Sequence, residues 1–374
     1  MVSVSEAASG VVVGVDSGGS GLRIALADPA TGAVLETVVS REPVRTGPGG
    51  ISAAHFLEQV LPAVAALRRP AGARPVAAVA VGAAGMATLG DELRAELPGA
   101  FADAWGVRRL ALAADAVTAY AGALGQRPGV VVAGGTGLIA LGTDLTSWRR
   151  ADGWGHLLGD CGSGAWIGRA GLEAAMRAHD GRRGGSAALL ARAEKLFGPA
   201  SGLPGVLYPR TDRPAVLASF APEVAHCAAG DPVAAGILAR AGAHIAEAAE
   251  AACPAEPGAQ VALTGGLFKM GESLLAPLRT ALAELVPRAR TVEPAGDPLA
   301  GAVTLASALA AGTLRLPEHP ALLRLFGVGA HQAVPSAQVG GGAPGRDEAR
   351  PGRGRKGNGM DAAAESGHTG AEGA

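Results

Sequence analysis

Two short glycine-rich turns, each between two runs of apolar residues, constrain this chain most. The first lies in VVVGVDSGGSGLRIAL at residues 11–26, and the second lies in GVVVAGGTGLIALG at residues 129–142. Apolar runs bounded by glycine are typical of buried strands, so each segment predicts a strand, a tight turn and a second strand. Glycine lets backbone N–H groups approach an anion closely. The pair of turns therefore predicts two halves that close on one polyphosphate ligand.

The first turn adds a carboxylate to its small residues. Asp16 stands at the end of the apolar run and can hold a cation or the water bound to it, while Gly18, Gly19 and Ser20 form the cradle. The second turn, residues 134–137, repeats the glycines without a carboxylate. Taken alone, each turn is equally compatible with an ordinary hairpin.

Composition limits the classes of function that remain. The chain has 374 residues, of which 48% are hydrophobic, so we expect two domains with ample cores. A net charge of -1 argues against nucleic acid or an anionic membrane as a partner. Three scattered cysteines argue against a disulfide framework and a zinc site. No leader or membrane span is evident, so we expect a cytoplasmic protein.

Strand and helix patterns alternate along most of the chain and predict an α/β fold. We expect one domain over residues 1–115 and a second over 116–330, with a helix at 299–311 packing back on the first. From residue 331 to 374 the composition shifts to Gly, Ala, Ser, Pro and charged residues. That segment is expected to be a disordered tail.

Asp115 ends a short apolar strand and precedes an alanine-rich helical segment. Ligands of open α/β sheets bind at such strand ends, and a carboxylate there can take the proton of an attacking hydroxyl. The alternative is a helix cap, in which the side chain accepts a backbone N–H. The two roles are compatible.

The densest unusual segment is DGWGHLLGDCGSGAWIGR at residues 152–169. It holds six glycines, two tryptophans and two aspartates in a chain that is only 3% aromatic. A carboxylate such as Asp160 beside a flat apolar surface such as Trp154 is suited to binding a sugar. Farther along, Gly265 and Gly266 follow a strand in TGGLFK and form either a helix-entry turn or a flat seat for adenine or ribose.

In this order, the motifs resemble those of the N-acetylglucosamine kinase group of BadF/BadG/BcrA/BcrD-type ATPases, in the sugar kinase, chaperone and actin ATPase superfamily. The likeness extends over residues 11–312, and GWGHLLGDCGSGAWIGRAGLE is its most specific part. It implies two ribonuclease-H-like, actin-like ATPase domains with a nucleotide cleft between them. The residues that it assigns are Asp115 as catalytic base; Gly153, Trp154 and Asp160 at the sugar; Gly18, Gly19, Thr136 and Gly137 at the ATP phosphates; and Gly265 and Lys269 near the adenosine.

Three positions depart from the pattern of that group. Ser20 stands in place of the usual Thr and is followed by Gly21, which keeps a hydroxyl donor but removes the polar side chain after it. Gly50 stands where the group often has an Asn that binds the amino sugar, and Cys161 stands where it usually has Glu. These departures leave the identity of the sugar open.

The resulting expectation is an ATP- and Mg²⁺-dependent kinase that phosphorylates the 6-hydroxyl of N-acetylglucosamine or glucosamine, with Asp16 orienting the metal. A homodimer is compatible with the sequence. One alternative is an activating ATPase of the 2-hydroxyacyl-CoA dehydratase type with an iron–sulfur cluster, although Cys161 has no neighbouring cysteine. The other is a sugar sensor without catalysis.

Overall fold

The computed structural model describes residues 10–19, 21–70 and 74–327, so Ser20 and the tail predicted for 331–374 lie outside the described residues. Thirteen strands are assigned within these ranges. In chain order they are β1 Val11–Gly18, β2 Gly21–Ala27, β3 Val34–Ser40, β4 Thr46–Gly47, β5 Gly50–Ile51, β6 Val76–Ala83, β7 Leu110–Ala114, β8 Gly129–Gly134, β9 Leu138–Thr143, β10 Trp148–Asp152, β11 Gln260–Thr264, β12 Arg290–Val292 and β13 Leu323–Phe326.

Twelve α-helices accompany these strands in the same part of the chain. They are α1 Ala53–Arg68, α2 Met86–Leu89, α3 Asp91–Trp105, α4 Asp115–Leu124, α5 Gly164–His179, α6 Ala187–Phe197, α7 Leu203–Leu207, α8 Arg213–Ser219, α9 Ala221–Cys227, α10 Pro232–Ala252, α11 Glu272–Leu285 and α12 Pro298–Ala311. A 3₁₀ turn covers Gly266–Met270. The α/β class predicted from the sequence is confirmed.

The first sheet has six strands in the order β13-β7-β6-β1-β2-β3. Its centre consists of β1, β6 and β7, which run parallel, whereas β2 and β3 continue from β1 as an antiparallel hairpin and meander. The central strands are almost entirely buried and rich in valine and alanine, as expected for parallel strands covered on both faces. Their carboxyl ends therefore open along one edge of the sheet.

The second sheet has five strands in the order β10-β9-β8-β11-β12. In it, β8, β11 and β12 run parallel, and β9 and β10 add antiparallel strands on one side. Helix α10 packs on this sheet and on α11. These elements share a second apolar core that is separate from the core of the first sheet.

Helices α4 and α12 cross at a contact made by glycine. A Cβ at Gly301 of α12 would lie 1.8 Å from the carbonyl oxygen of Thr118 in α4, and one at Gly14 of β1 would lie 2.8 Å from the backbone nitrogen of Val303. Only glycine fits where main chains approach so closely. Helix α12 thereby packs on β1 and β6 as well as on α4, which begins at Asp115.

The hairpins at both glycine turns and the helix at 299–311 were predicted from the sequence. Strands β10, β12 and β13 were not predicted, because they are three to five residues long and lack a clear alternation of apolar residues. No helix in the described ranges is long and apolar enough to cross a membrane.

Candidate active site

Asp16 and Asp115 stand at the carboxyl edge of the first sheet. Asp16 pairs with Gly82 of β6, which pairs in turn with Ala113 of β7, and Asp115 follows β7 directly. One strand therefore separates the two carboxylates laterally. Their charges interact, and the Asp16 charge helps to raise the pKa of Asp115. The sheet thus brings both predicted acidic residues to one place.

Asp115 is the first residue of α4, and its Oδ1 accepts a hydrogen bond of 2.9 Å from the backbone N–H of Ala116. Solvent reaches the side chain, although many protein atoms surround it. This burial raises the pKa of Asp115 above its ordinary value, while the Ala116 N–H and the charge of Arg150 oppose the shift. A carboxylate with a raised pKa and an open face is suited to accepting a proton.

Asp16 is held by Arg23, the residue directly opposite it in the β1–β2 hairpin. Nε and one terminal nitrogen of Arg23 lie 3.0 and 2.6 Å from Oδ2 of Asp16, and the other terminal nitrogen reaches Asp297 at the start of α12. Oδ1 of Asp16 has no partner among the described residues. A single free carboxylate oxygen fits Mg²⁺, which commonly takes one protein carboxylate together with phosphate oxygens and water.

The first turn leaves its glycines open. A Cβ at Gly18 or Gly19 would meet no atom within 4 Å, and neither residue has the left-handed backbone that favours glycine. Gly21 differs, because its φ is +127° and a Cβ there would lie 2.0 Å from the carbonyl oxygen of Ser40. The fold thus requires Gly21, whereas Gly18 and Gly19 leave main chain accessible to a ligand.

The second turn is fixed to the start of α5. The carbonyls of Gly135 and Thr136 accept the N–H groups of Gly164 and Ala165 at 2.9 and 3.0 Å. The Thr136 side chain is exposed, and a Cβ at Gly135 would meet open space. A Cβ at Gly137 would lie 2.6 Å from Oδ2 of Asp160. The turn therefore presents Gly135 and Thr136 outward and Gly137 toward the predicted sugar loop.

The TGGL segment lies beside the second turn, because β8 and β11 are parallel neighbours that pair Ala133 with Thr264. Gly265 has a φ of +105°, and a Cβ there would lie 2.1 Å from the carbonyl oxygen of Gly134. Gly266 faces open space and Lys269 is exposed. One edge of the second sheet thus gathers Thr136 and Gly137, predicted for the phosphates, with Gly265, Gly266 and Lys269, predicted for the adenosine.

The predicted sugar residues differ in their surroundings. Trp154 is 63% exposed, whereas Asp160 is 8% exposed and its Oδ1 accepts the N–H of Gly155 at 3.2 Å. Burial raises the pKa of Asp160, and its carboxylate packs over Gly137. Gly153 has a φ of +77° and lies against Ile139. Asp160 therefore joins the loop to the second turn, and Trp154 forms the exposed apolar surface of the loop.

Sequence reasoning missed Arg150 and Asp152, which lie on β10. The two carboxylate oxygens of Asp152 accept the N–H groups of Asp160 and Cys161 at 2.6 and 2.8 Å. The guanidinium of Arg150 lies 4.3 Å from the centre of the Trp154 ring and donates to the carbonyls of Asp152 and Gly153. Asp152 is the first residue of the unusual segment at 152–169, but β10 was not predicted. Nothing in the sequence therefore indicated that these two side chains hold the loop in place.

Gly50 lies in the small hairpin of β4 and β5, where it is buried. Its φ is +102°, and a Cβ there would lie 2.3 Å from the carbonyl oxygen of Leu89. A side chain at position 50 is therefore incompatible with this packing. An amino-sugar contact from that position, which the resemblance makes usual for the group, is absent for a structural reason.

The cysteines show none of the features of a reactive or metal-binding set. Burial raises the pKa of the Cys161, Cys227 and Cys253 thiols, so each stays protonated. Within the ranges that the structure covers, no three His, Cys, Asp or Glu side chains cluster as metal ligands. This finding does not conflict with the predicted Mg²⁺ site, because Mg²⁺ at a nucleotide commonly takes one protein carboxylate, here Asp16, and phosphate oxygens.

A family comparison agrees with the motif order. The sequence model described as the BadF/BadG/BcrA/BcrD ATPase family matches residues 13–306 of this chain. The chain belongs to this ATPase family. The resemblance predicted from the motifs is therefore confirmed, and the match takes in both glycine turns, Asp115, the loop at 152–160 and the TGGL segment.

One curated relative matches part of this chain in sequence. A segment of 69 residues is 42% identical to the N-acetylmuramic acid/N-acetylglucosamine kinase of Clostridium acetobutylicum, which is 18% of this chain and 22% of that protein. The chain thus spans about a fifth of the length of this curated relative in the alignment.

Two solved structures share the fold over nearly their whole length. A protein assigned provisionally as an N-acetylglucosamine kinase, from Chromobacterium violaceum, is 30% identical with a TM-score of 0.63, over 79% of this chain and 98% of that one. Its counterpart from Porphyromonas gingivalis is 16% identical with a TM-score of 0.57, over 80% and 98%. The expected actin-like ATPase fold, with two sheet-based halves, is confirmed.

Proposed function

We propose that this protein is an ATP- and Mg²⁺-dependent sugar kinase that transfers the γ-phosphoryl group to the 6-hydroxyl of an amino sugar, N-acetylglucosamine or glucosamine. The observation that carries the proposal is the pairing of Asp16 and Asp115 at one sheet edge, with Asp115 reached by solvent and its pKa raised by burial. The names of the relatives and the family membership support it.

In this proposal each carboxylate has a separate task. Asp115 accepts the proton of the sugar hydroxyl while the hydroxyl oxygen bonds to the γ-phosphorus and the bond from phosphorus to the ADP oxygen breaks. Asp16 holds Mg²⁺ through Oδ1 or a water, with Arg23 fixing its other oxygen. Bound Mg²⁺ neutralises phosphate charge. The open main chain at Gly18 and Gly19 and at Gly135 and Thr136 faces the phosphates.

The sugar and the nucleoside contact different parts of the site. Trp154 and Gly153 supply an apolar face for the ring, and Asp160, held by Gly155, supplies an acceptor for sugar hydroxyls. Gly265, Gly266 and Lys269 line the place of the adenosine. Ser20 contributes a hydroxyl to the first turn in this scheme and lies outside the described residues.

The direct test is the variant Asp115→Asn, assayed by coupled ADP release and by detection of the sugar phosphate on a panel of glucosamine, N-acetylglucosamine, glucose and N-acetylmannosamine. We expect kcat to fall by roughly 10²- to 10⁴-fold, the contribution typical of a general base, with little change in ATP affinity. The matched control is Asp144→Asn, which alters an exposed turn on the second sheet. An Asp115→Asn enzyme as fast as the parent would show that Asp115 is not the base.

The same panel separates the proposed kinase from an activating ATPase and from a sensor. A kinase releases one ADP for each sugar phosphate formed. ADP release without sugar phosphate, together with a brown protein after anaerobic iron and sulfide reconstitution, would indicate the activator, and sugar binding without turnover would indicate the sensor.

A further inference from the structure

Arg150 is a cation on β10, the edge strand of the second sheet that leads into the predicted sugar loop. Its alternate neighbour Trp148, on the same face of the strand, packs edge-on against Tyr120 of α4 with ring centres 5.4 Å apart. Asp115 begins the same helix, and the charge of Arg150 is among the groups that lower the pKa of Asp115.

The Arg150 guanidinium is engaged by main chain and an aromatic ring rather than by a carboxylate. Nε donates to the carbonyl of Asp152 at 3.0 Å, a terminal nitrogen donates to the carbonyl of Gly153, and the group lies 4.3 Å from the Trp154 ring centre. Among the residues that the structure describes, no acidic side chain forms an ion pair with it.

The backbone that Arg150 holds forms a bend. Asp152 and Gly153 both have positive φ, +59° and +77°. Glycine adopts this conformation freely and aspartate more readily than most other residues, so the two suit a sharp change of chain direction. The guanidinium fork binds the two carbonyls at this bend, and the Asp152 carboxylate binds the far end of the loop through Asp160 and Cys161. The position of Trp154 is therefore set by these two side chains.

We propose that Arg150 is a positioning residue for the phosphotransfer: by holding the carbonyls of Asp152 and Gly153 and stacking on the Trp154 ring, it fixes the predicted sugar loop and so sets where the acceptor sugar lies for attack. This role rests on the proposed function. It requires the planar fork of arginine, because a lysine ammonium keeps the charge but cannot bind two carbonyls and stack on the indole together.

The experiment compares Arg150→Lys and Arg150→Met with the matched control Arg149→Met. Arg149 is the preceding residue of β10, is exposed, and carries the same charge on the opposite face of the strand. For both Arg150 variants we expect kcat/KM for the sugar to fall about 10- to 100-fold, because misplacing a substrate by an ångström has effects of that order. The KM for ATP is expected to stay within about twofold, and Arg149→Met is expected to match the parent.

Two further readouts distinguish positioning from a general loss of structure. With the sugar misplaced, water competes for the phosphoryl group, so ADP released per sugar phosphate should rise above one in the Arg150 variants. Acrylamide, a neutral quencher, should also quench the fluorescence of Trp154, assigned by comparison with Trp154→Phe, more strongly in Arg150→Met than in the parent. Thermal unfolding of each variant verifies that the fold is intact.

The outcomes separate the two proposals. Full sugar turnover in Arg150→Lys would overturn the role of the fork, and full turnover in Arg150→Met with unchanged quenching would overturn the positioning role while leaving the kinase intact. A fall in ATP affinity equal to the fall in sugar affinity would also overturn it. A parent protein that phosphorylates no sugar overturns the proposed function and this role together.

Discussion

The close crossing of α4 and α12 gives a sharp prediction for the variant Gly301→Ala. The added Cβ would lie 1.8 Å from the Thr118 carbonyl oxygen and 2.6 Å from the Gly122 backbone nitrogen. Real Cβ atoms essentially never come closer than 3.0 Å, so the deficit is 3.0 minus 1.8, or 1.2 Å. Both neighbours are backbone atoms of a helix that cannot swing aside as a side chain does. The two helices must therefore separate.

The expected magnitude combines two opposing effects. Overpacking by one methyl group in a rigid contact destabilises a protein by about 1–3 kcal/mol, and separation of the helices adds lost contacts along α12. The gain in helix propensity from Gly to Ala offsets about 1 kcal/mol. We expect a net loss of about 2 kcal/mol, which corresponds to a fall in Tm of roughly 3 °C for a folded part of this size.

Urea and thermal unfolding followed by circular dichroism measure this effect. The matched control is Gly236→Ala in α10, where the nearest atom to the new Cβ is the end of the Arg240 side chain at 3.6 Å. This variant should gain about 0.5–1 kcal/mol, since only helix propensity changes. If Gly301→Ala were as stable as Gly236→Ala, the inferred backbone contact between α4 and α12 would be incorrect. Because Asp115 begins α4, Gly301→Ala should also lower kcat.

Two further predictions concern the site itself. Burial raises the pKa of Asp115, and the proposed base acts only when ionised, so kcat/KM should rise with pH through a value above that of an exposed aspartate. The same sign means that the ionised carboxylate lowers stability at neutral pH; this loss shrinks as the pH falls below the folded-state pKa and is gone below the pKa of an exposed aspartate. Asp115→Asn should therefore melt no lower than the parent at pH 8; a clearly lower Tm would contradict the burial argument. Gly50→Asn should lower stability by at least about 2 kcal/mol in urea unfolding without improving turnover of N-acetylglucosamine, because its Cβ meets the Leu89 carbonyl at 2.3 Å. A stable variant with improved turnover would refute that packing.

The sequence predicted those parts of the fold that depend on local pattern. Glycine between two apolar runs is sufficient to place both hairpins, and an acidic residue directly after a buried strand is sufficient to place Asp115 at the open edge of a parallel sheet. The ion-pair partner of Asp16 could also be predicted from the sequence. Once the first turn is centred between Gly18 and Gly21, antiparallel register puts Arg23 directly opposite Asp16.

Features that depend on tertiary contact were not predictable. Asp160 reads as an open sugar ligand, but it is 8% exposed because it packs over Gly137, more than twenty positions earlier in the chain. Arg150 and Asp152 lie on a five-residue edge strand in which only Arg149 is exposed and the sequence, WRRAD, shows no apolar face. The local sequence does not predict such a strand. The pairing of β10 with β9 brings Arg150 and Asp152 to the loop, and this pairing is a tertiary contact.

The glycines of the first turn and of the TGGL segment differ in whether the fold requires them. A glycine that the fold requires shows either a positive φ or a main-chain neighbour too close for a Cβ, and Gly21 and Gly265 show both. Gly18, Gly19 and Gly266 show neither, so alanine at those positions would be tolerated by the protein alone. Because glycine lowers stability where nothing in the fold demands it, the proposed contacts with phosphate at Gly18 and Gly19 and with the nucleoside at Gly266 would give these positions a reason to lack a side chain.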